Sequence, residues 1–270
     1  MRPVDRQTIL VTGATDGLGR ALAGELTSRG ATVLLHGRSE KRLEDTQREL
    51  GAAATYLADF SSLEEVRRLV SALERDQEWL DLLVNNAGIG GGDGRREESA
   101  DGYELRFAVN YLAPFLLTNL LLPLLRRSAP ARIVNVSSAG QAAIDFDDVM
   151  LERRYDAVRA YGQSKLAQIM FTFELAERLR AENAGVTVNA LHPASLMNTK
   201  MVYESFGYTM STVEDGVEAT LRLAISPELE GITGRYFDRL REARPNKQAD
   251  DPEARRRLWR LSEDLVSKAR

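Results

Sequence analysis

"TILVTGATDGLGR" occupies residues 8–20 and passes from a short apolar run straight into a turn with glycines at 13, 17 and 19. The run has the β-branched and aliphatic character of a strand, and "LGRALAGELTSRG" behind it reads as a helix that stops at Gly30. A turn between strand and helix brings backbone N–H groups to the positive end of the helix, where a pyrophosphate is stabilised. The three residues between Gly13 and Gly17 depart from the common G-x-G-x-x-G spacing, so the turn alone leaves plain chain reversal open as its reason.

Outward from this turn the same order repeats. "ATVLLH" (31–36), "ATYLA" (54–58), "LDLLVN" (80–85), "ARIVNVS" (131–137), "GVTVNALH" (185–192) and "GRYFD" (234–238) are further strand candidates, and their near-continuous apolar character marks strands buried on both faces. Helical patterns fill the gaps; "SSLEEVRRLV" opens with Ser62 three residues before Glu65, the spacing of a capping box. The pattern predicts an α/β fold: one domain over 1–270, a Rossmann-type doubly wound parallel sheet of about seven strands with helices on both faces. The glycine-rich "GIGGGDG" (88–94) reads as a surface loop and not a domain boundary. The tail "DPEARRRLWRLSEDLV" carries consecutive arginines, but Leu258, Leu261 and Leu265 sit at helical spacing, so a docked amphipathic helix over about 252–267 is expected.

Composition bounds the function. With 270 residues, 43% hydrophobic and 28% charged, the chain can fill a sizeable core. Lys and Arg number 36 against 40 acidic residues, a formal charge of -4, which gives no positive field for nucleic acid or an acidic membrane. There is no cysteine, so disulfides, thiolate metal sites and cysteine nucleophiles are excluded, and no metal site is expected. "MRPVDRQTILVTGA" lacks the long apolar core of a secretory signal, so a cytoplasmic protein without a membrane span is expected. The arginine- and alanine-rich usage suggests a bacterial source.

Within "YGQSK" (161–165) Tyr161 precedes Lys165 by four positions, so on a helix both project from one face. A solvated helix face often carries such a pair. The wider pattern argues otherwise. "NNAG" (85–88) follows the fourth strand, and "IVNVSS" puts Ser137 and Ser138 at the end of the fifth. Ligands of open parallel sheets bind outside these carboxyl ends. The glycine turn, NNAG, the serines and Y-x-x-x-K, in this order over Thr8 to about Asp238, resemble the short-chain dehydrogenase/reductase family, and the long Ser138–Tyr161 gap resembles its retinol dehydrogenase and carbonyl reductase-like branch. That resemblance implies a tetrad of Asn110, Ser138, Tyr161 and Lys165. It also implies dinucleotide contacts from Gly13, Thr15, Gly17, Leu18, Gly19, Asp59 (at the adenine), Phe60, Asn86, Ala87, Gly88, Tyr161, Lys165 and the Leu196 backbone.

Deprotonating a phenol at neutral pH costs about 4 kcal/mol unless a cation favours the phenolate, and Lys165 is expected to be that cation. Tyr161 then exchanges a proton with the substrate oxygen and Ser138 hydrogen-bonds the same oxygen; the resemblance implies that Lys165 touches the nicotinamide ribose. The resemblance further implies that Asn110 holds a water linked to the lysine. The usual Pro-Gly after the sixth strand is "HPASLMNT", with Ala194 in place of glycine and Thr199 one residue late, which puts its nicotinamide contact in doubt. Residues 195–216 are expected to form a substrate lid.

The second strand ends "LLHGRSEKR" with no acid at its tip. An acid there would bind the adenosine ribose and repel a 2′-phosphate, so Arg38 and Ser39 point to NADP(H) over NAD(H), although Asp16 stands where many NADP-preferring relatives carry a base. The expected activity is hydride transfer between NADP(H) and the carbonyl or alcohol of a small apolar substrate. A dinucleotide-binding redox sensor and an NAD(P)-dependent epimerase or dehydratase are the alternatives. The first has no need of the tetrad, and the second usually has a longer C-terminal substrate domain. The resemblance also implies a homodimer paired through helices at about 99–127 and 158–181.

Overall fold

The computed structural model describes residues 1–91, 94–199, 202–203 and 207–269. Its strands are β1 Thr8–Val11, β2 Thr32–Gly37, β3 Ala54–Leu57, β4 Leu82–Asn85, β5 Ala131–Val136, β6 Val186–His192, β7 Tyr236–Asp238 and β8 Arg241–Glu242. They form one sheet in the order β3-β2-β1-β4-β5-β6-β7-β8, parallel throughout except for β8, which returns antiparallel on β7. The sequence predicts about seven strands, and the described residues hold eight. The extra one is two residues long, too short for any periodicity, and follows a turn at Arg239 with φ at +54°.

Seven principal helices lie between or after these strands: α1 Gly17–Ser28, α2 Glu40–Leu50, α3 Leu63–Asp76, α4 Leu105–Arg127, α5 Ala157–Ala181, α6 Val213–Ile225 and α7 Pro252–Lys268. Each begins or ends on chemistry visible in the sequence. Ser62 caps α3, and Gly51 closes α2 with φ at +68°. Sheet side chains alternate between two apolar layers: Ile9, Val11, Leu82 and Val84 face α1 and α6, while Leu10, Leu83 and Ile133 face α3, α4 and α5. The reversal of strand order at β1/β4 opens a crevice at the carboxyl ends, where the glycine turn, NNAG and the serines all lie.

The tail helix α7 docks where the sequence places an interface. Trp259 lies 5.1 Å from Phe115 of α4 and 5.7 Å from Phe171 of α5, centroid to centroid, and Tyr111 shares a 2.6 Å hydrogen bond with Ser262. The expected lid over 195–216 falls partly on Lys200, Met201, Glu204, Ser205 and Phe206, which lie outside the described residues, as do Gly92 and Asp93 of the glycine-rich loop.

Candidate active site

Two glycines of the first turn are required by close approach. A Cβ on Gly13 would stand 2.8 Å from Ala87 Cα, and one on Gly19 would collide with Gly13 O and Asn86 Nδ2. The turn is therefore packed directly on NNAG. Thr12 Oγ1 accepts Asn86 N at 2.9 Å and Ala87 N at 3.0 Å, and Asn86 Nδ2 donates to Thr12 O at 2.9 Å. The carboxamide of Asn86 is thus spent on the turn. His36 adds a clamp that the sequence does not announce: its Nδ1 accepts Gly13 N at 3.3 Å and its Nε2 lies 3.1 Å from Ala58 O. This pairing fixes a neutral ring with the proton on Nε2, and burial drives its pKa down to about 4. The only sign available was a lone histidine inside an apolar strand.

The side chains of Leu18 and Phe60 are buried in the core, the latter stacked on His36 at 4.2 Å. Asp59 accepts Ser61 N at 2.9 Å, and Ser39 caps α2 through Arg42 N. Arg38 is exposed with no ion pair among the described residues, whereas Asp16 pairs with Arg42 at 2.8 Å. Leu196 adopts φ of +47°, a costly conformation for a leucine, and the chain beyond it folds back so that Thr199 Cγ2 lies 3.2 Å from the place of a Cβ on Gly17. Thr199 therefore stands over the glycine turn.

At the end of β5 the two serines separate. Ser137 Oγ donates to Lys165 O at 2.7 Å and is buried. Ser138 Oγ accepts Gly140 N at 3.0 Å, and a Cβ on Gly140 would stand 3.5 Å from that Oγ and 3.8 Å from Tyr161 Cε1, so serine and phenol flank one spot. Burial raises the Tyr161 pKa, opposed by its hydrogen bond with Ser138. Lys165 Nζ is 5.7 Å from the Tyr161 ring centre, but its bonds run to Val136 O at 3.0 Å and Gln168 Oε1 at 3.1 Å. Among the described residues no hydrogen bond links the ammonium to the phenol oxygen. Desolvation without a carboxylate partner brings Lys165 down to about 8.

Asn110 lies in a π-helical turn, Ala108–Leu112, inside α4. Its side chain exchanges hydrogen bonds with the Ile89 backbone at 2.8 and 3.1 Å and donates to Ser164 Oγ at 3.0 Å. It reaches the same region as the lysine: a Cβ on Gly88 would stand 3.1 Å from Asn110 Oδ1 and 3.5 Å from Lys165 Nζ. Beside the Ser138 turn is a cavity of about 360 Å³ lined by Ala139, Gln141, Tyr236, Asp238, Arg244 and Asn246 among others.

The short chain dehydrogenase family model matches residues 7–207. The chain belongs to this family. Mouse retinol dehydrogenase 13 is 38% identical over 286 aligned residues, covering 97% of this chain and 84% of that protein. Human retinol dehydrogenase 14 is 39% identical over 293, covering 96% and 86%. Among solved structures, a protein from Mycobacterium paratuberculosis superposes with a TM-score of 0.79 at 29% identity, covering 97% of this chain and 94% of the other. A short chain dehydrogenase from Shigella flexneri complexed with NADP gives 0.72 at 27%, covering 87% and 97%. As a short chain dehydrogenase the protein is an oxidoreductase that moves a hydride between a nicotinamide dinucleotide and an alcohol or carbonyl group. The crevice fits that cofactor: Gly13 and Gly19, packed closely on NNAG, put no side chain between the turn and a phosphate at the start of α1, where Asp16 Oδ1 caps Gly17 N at 2.8 Å.

Proposed function

We propose that this short chain dehydrogenase uses NADP(H) and interconverts the carbonyl and alcohol forms of a small, largely apolar substrate, with Ser138, Tyr161, Lys165 and Asn110 as its working groups. The observation that carries this reading is the meeting of Ser138 and Tyr161 at one spot beside a buried lysine. When bound, the nicotinamide supplies or takes up the hydride. Ser138 Oγ and Tyr161 Oη grip the substrate oxygen. The phenol, kept protonated by burial, gives its proton to that oxygen in reduction and recovers it in oxidation. Lys165 binds the ribose and holds its charge near the phenol, and Asn110 secures the NNAG loop against α5.

Arg38, with Ser39, receives the 2′-phosphate. Its exposure and lack of an ion pair among the described residues support this, as does the pairing of Arg42 with Asp16, which offsets a nearby repulsive carboxylate. The NADP in the Shigella flexneri relative points the same way. A cytoplasmic location belongs to the same proposal. Helix α4 is long and apolar enough to cross a membrane, but 78% of its most apolar stretch is buried in the fold, so packing accounts for its apolarity.

The test is NADPH oxidation with a panel of aldehydes and ketones that includes retinal, prompted by the names of the relatives. Tyr161→Phe should lose about a hundred- to ten-thousandfold in kcat, the usual worth of a general acid, with NADPH binding intact. Turnover at the wild-type rate in that variant would overturn the mechanism. Arg38→Ala should cost roughly ten- to a hundredfold in preference for NADPH over NADH by kcat/KM.

A further inference from the structure

The catalytic role proposed for Ser138 requires that its turn be held still, and the turn has an unusual number of outside ties. The carbonyl of Ser138 accepts two side-chain hydrogen bonds, from Gln141 Nε2 at 2.9 Å and from the hydroxyl of Tyr236 at 3.1 Å. Gln141 Oε1 in turn accepts Asn246 N at 2.7 Å. Farther along, Ile144 N donates to Gln248 Oε1 at 2.7 Å and Ile144 O accepts Gln248 Nε2 at 3.1 Å. The segment after the serine is therefore sewn to the far C-terminal part of the chain, and Tyr236 on β7 is the tie that ends on Ser138 itself.

Tyr236 is 3% exposed, at a sheet position where phenylalanine would fill the same space. Burial, with the negative charge of Asp238 and the nearby Tyr161 phenol, raises its pKa, so it stays a donor throughout the working range. A hydroxyl placed here donates to the Ser138 carbonyl and also meets the side chain of Gln141, the other group bonded to that carbonyl. With both lone pairs of that carbonyl engaged, rotation of the turn would break two bonds together, and the Ser138 Oγ is kept beside Tyr161.

We propose that Tyr236 is a positioning residue that acts on the reaction through Ser138, with Gln141 as its second. The proposal rests on the catalytic reading of Ser138 given above. It is tested in the full chain, with NADPH and the best-used aldehyde of the panel, by a cycle of Tyr236→Phe, Ser138→Ala and the double variant. Tyr236→Phe should lower kcat about two- to tenfold, the worth of one hydrogen bond, with the NADPH Kd unchanged. In the Ser138→Ala background the same substitution should cost nothing further.

A pH profile supplies a second readout. Ser138 lowers the Tyr161 pKa through its hydrogen bond, so a loosened serine moves the rise of alcohol oxidation to higher pH. Equal losses from Tyr236→Phe with and without Ser138, or wild-type kcat in Tyr236→Phe beside a slow Ser138→Ala, would overturn the proposal and leave the catalytic reading standing. Wild-type rates in Ser138→Ala would overturn that reading and the proposal with it. Should Tyr236→Phe fail to fold, Gln141→Met is carried through the same cycle with the same criteria.

Discussion

His36 shows how much one side chain can hold without touching a reactant. It joins the glycine turn to the end of β3 and is stacked on Phe60. Its pKa falls from 6.5 to about 4, mainly by desolvation, with the Ala58 carbonyl and Asp59 opposing. The unfolded chain therefore binds the proton more readily, and stability is lost as pH drops below about 6.5 toward about 4. Between about pH 7.5 and about pH 5 the loss should be about 2 kcal/mol, seen as a Tm lower by roughly 4 °C or more. His192, also lowered by burial, adds to the trend in the same direction. In His36→Asn most of the slope should disappear; an unchanged slope would show that other groups carry it. Asn86→Ala should cost about 1–3 kcal/mol of stability and weaken NADPH binding while leaving kcat at saturation near wild type, because its carboxamide braces the turn. A large fall in kcat would place Asn86 nearer the chemistry.

At the scale of elements, α4 is interrupted by the π-helical turn Ala108–Leu112, which carries Asn110 to Ile89 and Ser164. Such turns commonly mark functional sites. Helix α7 has a different consequence. It covers the outer faces of α4 and α5 with Trp259, on which Arg178 stacks at 3.9 Å, and ties back through Arg255 to Glu177 at 2.5 Å. Those are the helices through which the family resemblance implies pairing, and α7 occupies part of the surface a partner would use. Light scattering of the full chain at micromolar concentration should therefore give the monomer mass. Wild-type pairing that disappears on substitution at Phe115 or Phe171 would show that α7 moves aside instead.

For the whole molecule, the two apolar layers are inseparable because alternate residues of the same strands feed both. Leu10 and Leu83 serve one layer, while Ile9, Val11, Leu82 and Val84 serve the other. We expect one domain and one calorimetric transition. Saturating NADPH at a hundred times its Kd should raise the stability of that whole unit by about 2.7 kcal/mol. A second transition insensitive to NADPH would separate the tail from the sheet.

The order of strands and helices was legible in the sequence because period and turn chemistry are local: "TILVTGATDGLGR" states strand, reversal and helix within one stretch, and β1 to β7 fall within a residue or two of their apolar runs. Tyr161, Lys165, Ser138 and NNAG were legible because a family pattern marks them. The clamp by His36, the tie from Tyr236 and the cover formed by α7 were not. Each joins residues distant in the chain, 23 apart for Gly13 and His36 and 98 apart for Ser138 and Tyr236, and spacing cannot show which remote partner a buried donor finds. The sequence likewise promised that Lys165 would lie near Tyr161, since helical periodicity requires it. Only the packing of α5 against β5 decided that its ammonium would bond Val136 O and Gln168, because a buried charge must satisfy its donors with whatever acceptors the fold brings within reach.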